Sequence, residues 1–144
     1  MLEAAIITPL LLLLTFSVVD FAALFYVYLA LENGVSQASR YGVTGNLMPD
    51  PANPGNTLSE MASMETAMRQ ATPTITLADS AFTFNYMSPG TTTWSSGTGG
   101  PGDIAKVTVN YTWNIMTPLL RPFFAGGRIN LQVESAMKNE PRFN

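Results

Sequence analysis

"MLEAAIITPLLLLLTFSVVDFAALFYVYLALENGVSQASRYG", residues 1–42, decides the fold. The apolar run from Ala4 to Val19 resumes at Phe21 and continues to Leu31, and the stretch that follows keeps helix-compatible residues for several more turns. A secretory signal has a basic start and an apolar core of about 7–15 residues. This run is longer, lacks the basic start and is followed by no cleavage context, so it predicts one helix from about Leu2 to Val43. At about 1.5 Å per residue such a helix is roughly 60 Å long, about twice the hydrocarbon thickness of a bilayer. Its second half must therefore leave the lipid or pack on protein.

Three features of the helix need a physical reason. Glu3 and Asp20 are acids in an apolar segment with no base before Arg40. A carboxylate at mid-bilayer costs roughly 2.5–3.5 kcal/mol on insertion scales, so each is expected to face a partner. For Glu3 that partner is an α-amino group, its own or that of a neighbouring chain. Asp20 is too deep for an amine and is expected to accept hydrogen bonds, to cap a locally opened helix, or to stay protonated. Pro9 removes the backbone bond to Ala5 and is expected to kink or open the first turns. Ala30, Gly34, Ala38 and Gly42 recur every fourth residue, a stripe that permits close backbone approach, either by the chain's own globular part or by another helix.

Beyond Val43 the character changes, which divides the chain into a helix, 1–43, and a small head, 44–144. "TGNLMPDPANPGNT" is a loop rich in proline and glycine. In "TLSEMASMETAMRQAT", Thr57 and Glu60 fit a capping box, and Leu58, Met61, Ala62 and Met68 fall near one face of a short helix that ends before Pro73. The Met61, Met64 and Met68 spacing reads as core rather than as a binding surface. Apolar–polar alternation in "FTFNYM" (Phe82, Phe84, Tyr86), "KVTVNYTWNI" (Val107, Val109, Tyr111, Trp113) and "RINLQVESAM" (Ile129, Leu131, Val133) predicts strands with one oily face, and "TITLA" (Thr74–Ala78) adds a possible fourth. The two helices are the available covers. The expected class is α+β: a long N-terminal hydrophobic helix packed on an antiparallel sheet of three to four strands, with one short extra helix. "SPGTTTWSSGTGGPGD" reads as a flexible surface loop in which Trp94 either tethers the loop to the sheet or contacts an outside partner.

Composition narrows the chemistry. The 144 residues carry a net charge of −3, with 12% charged residues against about 25% in typical globular domains. The chain has neither cysteine nor histidine. Thiolate and imidazole chemistry are thus absent, and no acids are spaced with a plausible partner for general acid–base work. No catalytic, cofactor or metal site is expected. Asp50 with Asn46, Asn53 and Asn56 offers oxygen ligands, but too few carboxylates for a calcium loop, so turn chemistry explains them. The Gly-rich loop lacks the Gly-Lys-Ser/Thr ending of a phosphate loop. Seven scattered basic residues form no stripe for nucleic acid.

The ordered set Glu3, Pro9, apolar run, Asp20, Phe21 resembles the N-terminal segment of the TadE-like family, the pilin-like proteins of tight-adherence pilus systems. "ALENGVSQASRYG" is similar to the family's small-residue helix, and "VTVNYTWNIMTPLLRPFF" with "INLQVESAMKNEP" to its paired C-terminal strands. The resemblance implies a pilin-like subunit, held in the bacterial inner membrane, cut by a prepilin peptidase and passed by pilus machinery into an extracellular filament of its own copies. It also implies a short basic leader and an acid fifth from the cut. Here Glu3 stands third with no such leader, so either the chain is already mature or its true start differs. A minor, priming pseudopilin and a single-pass membrane-anchored binding or adhesion module are the alternatives.

Overall fold

The computed structural model describes residues 2–141. α1 (Leu2–Val43) is followed by α2 (Glu60–Ala71), β1 (Phe82–Met87), β2 (Ser95–Ser96), β3 (Ile104–Asn114) and β4 (Arg128–Lys138), with single 3-10 turns at Asp79–Ala81, Arg121–Phe123 and Ala125–Gly127. The strands form one antiparallel sheet in the order β2-β1-β3-β4, and β1 pairs with β3 from Phe82 opposite Val109 to Met87 opposite Ile104. The chain is α+β, with its long helix, short helix and three main strands where hydropathy places them.

The residues pack as two compact units. One contains Ala30–Asn110 and the chain from Gln132 onward. Its core brings Leu31, Val35 and Ala38 of α1, Met64 and Met68 of α2, Val107 and Val109 of β3 and Val133 of β4 to essentially zero exposure. Each of the leucine, valine and methionine side chains contributes about 1.5–3 kcal/mol on leaving water. Ser39 donates to the Ser135 carbonyl, and the Glu140 amide donates to the Val43 carbonyl, so the end of α1 is bonded to the C-terminal strand region. The other unit contains the chain up to Leu29 and Tyr111–Leu131.

Four local expectations are corrected. Ser59, not Thr57, caps α2, its hydroxyl accepting from the Ala62 amide at 3.2 Å. Thr57 is held in a bridge with Pro49, and the Leu58 amide donates to the Met48 carbonyl, so the backbone stays extended two residues longer. The buried face of α2 is consequently Ser63, Met64 and Met68, while Met61 is exposed. Thr74–Ala78 forms no strand: Ile75 and Leu77 are buried in alternation, but both edges of β1 are already paired, to β2 and β3. The fourth strand lies instead in the Gly-rich loop, where Ser95 and Ser96 pair with Tyr86 and Asn85 and the Asn139 side-chain amide donates to the carbonyls of Thr98 and Gly100.

Burial on β3 is not one-sided at its centre, because Val107, Thr108 and Val109 are all buried. Simple alternation predicts that Thr108→Asp is as mild as any change on the polar face; the fold reverses that expectation. Val109→Asp and Thr108→Asp should each cost several kcal/mol, whereas Asn110→Asp, at an exposed position, should stay within about 0.5 kcal/mol. Thermal unfolding of the full chain in detergent checks the ranking, and a mild Thr108→Asp would contradict the observed burial.

Candidate functional site

The N-terminal part of α1 exposes apolar side chains over most of its circumference: Ile7, Leu11, Leu14 and Val18 are each more than half exposed. The helix is long and apolar enough to cross a membrane, and its apolar 18-residue window is only 11% buried, unlike the core helix of a globular domain. Hydroxyls within it are internally bonded. Thr8, Thr15 and Ser17 donate to the carbonyls of Ala4, Leu11 and Leu13, which removes polar groups that an apolar medium would penalise. α1 runs through Pro9 as one continuous helix.

One face of this segment is covered. The chain between β3 and β4, residues 115–127, folds back on α1, and Ile115 and Leu120 are buried. Asp20 is the polar centre of this contact, only 5% exposed. Its two carboxylate oxygens accept from the Met116 amide at 3.1 Å and the Thr117 amide at 2.9 Å. Arg121 itself donates through Nε to the Ile115 carbonyl at 3.0 Å. Of the roles expected for Asp20, the hydrogen-bonding one is seen, but the donors are loop amides from elsewhere in the chain rather than groups of an opened helix. Beside it, Pro9, Leu12, Leu13 and Phe16 of α1 and Thr117, Pro118 and Leu119 of the loop line an apolar groove of about 310 Å³.

The other expected site residues are dispersed. Glu3 lies in the first turn of α1, exposed, where the helix dipole favours an acid; the Met1 α-amino group expected to pair with it lies outside the described residues. Gly34, Ala38 and Gly42 are buried and Ala30 is half-buried. A Cβ on Gly34 would stand 2.7 Å from Thr72 Cγ2, and one on Gly42 2.5 Å from Met64 Cε, so the stripe is used for close approach of α2 within the chain. Trp94 is 41% exposed, with Lys106 Nζ 4.4 Å above its ring. Asp50 serves a turn: bonds from the Asn53 side-chain amide and then the Ala52 amide hold its carboxyl below the usual carboxylate range. Among the described residues no group of three or more acids is placed to hold a metal ion.

The loop on α1 is the feature that sequence reasoning missed. The resemblance takes "VTVNYTWNIMTPLLRPFF" as one part of the paired strands, although "TPLLRPFF" is apolar but for Arg121, carries two prolines and cannot continue a strand ladder. That combination was the available signal.

The family model described as TadE-like protein matches residues 1–40, which supports the resemblance over the N-terminal segment. No curated protein and no solved structure matches the chain.

Removing the Asp20 carboxylate leaves two part-buried amides without their acceptor, at a cost of up to about 1–3 kcal/mol each. Asp20→Leu should therefore accelerate hydrogen exchange at Met116 and Thr117, with Asp20→Asn intermediate because one carbonyl oxygen remains. Unchanged exchange at both amides in Asp20→Leu would show that the carboxylate does not hold the loop.

Proposed function

We propose that this chain is a pilin-like structural subunit, stored in the bacterial inner membrane through the N-terminal part of α1 and assembled by that same helix into an extracellular filament of its own copies. The observation that carries the reading is the coincidence of the family match at residues 1–40 with a helix whose apolar N-terminal surface is left uncovered. Uncovered apolar area of this size needs either lipid or neighbouring helices, and a filament core substitutes the second for the first. A prepilin peptidase and pilus assembly machinery are the partners that the family match suggests. No catalytic role is assigned. The small-residue stripe would then build each subunit, while Glu3, Pro9 and the exposed apolar face of α1 would join subunits together.

Glu3 has a specific role in this reading. Its carboxylate meets an α-amino group as a subunit docks, and that charge pair gains strength in an apolar filament core. Glu3→Gln retains size and hydrogen-bonding capacity, so it should reduce filament mass while leaving the membrane-stored pool normal. Electron microscopy and mass spectrometry of sheared surface material measure the first quantity, and fractionated membranes the second. Full-length wild-type chain in the filaments is the expected result. Wild-type chain confined to the membrane fraction would favour the membrane-anchored module, with Trp94 as its contact, and unchanged filament mass in Glu3→Gln would remove the charge pair.

A further inference from the structure

We infer that the loop Met116–Phe124 is a second membrane-inserted element, which enters the bilayer alongside α1 without crossing it. The inference rests on the membrane-stored state proposed above and adds a site to it.

The depth follows from the helix. A hydrocarbon core of about 30 Å takes about 20 residues of α-helix. Any such window in α1 that excludes Glu3 and Glu32 contains all of Leu12–Ala23. The loop is bonded to Asp20, and the grooves along it are lined by Leu12, Leu13, Phe16 and Val19, all inside every one of those windows. It therefore occupies space that lipid would otherwise fill. Its outer surface is mostly apolar: Met116, Leu119 and Phe123 are 53%, 62% and 76% exposed, and the one charged side chain there, the exposed Arg121, donates through Nε to the Ile115 carbonyl.

Non-helical backbone at membrane depth is tolerated only when its polar groups are satisfied by protein. The loop meets much of this condition. Pro118 and Pro122 have no N–H. The amides of Leu120, Phe123, Phe124 and Gly127 donate to the carbonyls of Thr117, Leu120, Arg121 and Phe124, and the Ile115 amide donates to the Gly127 carbonyl. The Met116 and Thr117 amides, at the point of entry, are the two taken by Asp20. An acid in the apolar helix is thus the acceptor that lets the loop enter lipid.

The chain has no cysteine, so single cysteines can be introduced and spin-labelled without background. The labels go at Leu119 and Phe123, at Leu11 on the exposed helix face, and at exposed Ser95 in the sheet, in full-length protein in phosphatidylcholine/phosphatidylglycerol vesicles. Collision rates are measured with oxygen, which concentrates in lipid, and with a water-soluble nickel chelate. The logarithm of the oxygen-to-nickel ratio should be positive at 11, 119 and 123 and negative at 95. Positions 119 and 123 sharing the sign of 95 while 11 stays positive would overturn the inference and leave the membrane-stored helix standing. Protection of 119 and 123 from both reagents, with spin–spin broadening that grows with the protein-to-lipid ratio, would assign the surface to a second copy and also overturn it. A negative value at 11 would remove the membrane reading and this inference together.

Discussion

A helix about twice as long as a bilayer is thick cannot satisfy one medium with one surface. α1 meets the constraint by changing role along its length. Up to Leu29 it exposes apolar side chains on most faces; from Ala30 it is a core element, with Leu31, Val35 and Ala38 buried. The glycines of α1 lie in the second part, where Gly34 and Gly42 admit Thr72, Met68 and Met64 at distances no larger side chain allows. The core of this unit therefore includes the second half of α1 together with Met64 and Met68 of α2 and Val107, Val109 and Val133 of the sheet.

Asp20 belongs to the same logic. In a purely lipid-facing helix it would be a cost of several kcal/mol without return. Its burial against the Met116 and Thr117 amides converts it into the acceptor for a loop that covers one side of α1. The contact also explains why the apolar loop ends in Gly126 and Gly127: both have φ near +65°, a backbone that glycine adopts without strain and that turns the chain into β4.

Much of this architecture was legible in the residues, for identifiable reasons. Hydropathy and length placed α1 within a residue at each end, and alternation located β1, β3 and β4, because one strong period dominates each segment. What escaped notice depends on partners distant in sequence. Nothing near Thr57 announces the bridge to Pro49 that delays α2, and nothing in "SSG" announces an edge strand whose only qualification is a free edge of β1. Ile75 and Leu77 alternate as a strand does but meet an edge already taken. Asp20 invites a partner without naming it, since its donors lie 96 and 97 residues further on.

The division of α1 between two media is the central claim, and paired truncations within that one helix test it most directly. Leu31 is fully buried and Leu14 is 59% exposed, so the two leucines lie in one helix but in different surroundings. In detergent-solubilised full-length protein, Leu31→Ala should lower the unfolding free energy of the head by about 2–5 kcal/mol, as cavity-forming core truncations do, and Leu14→Ala by less than about 1 kcal/mol. Equal losses from the two variants, or a head that unfolds identically in both, would contradict the account.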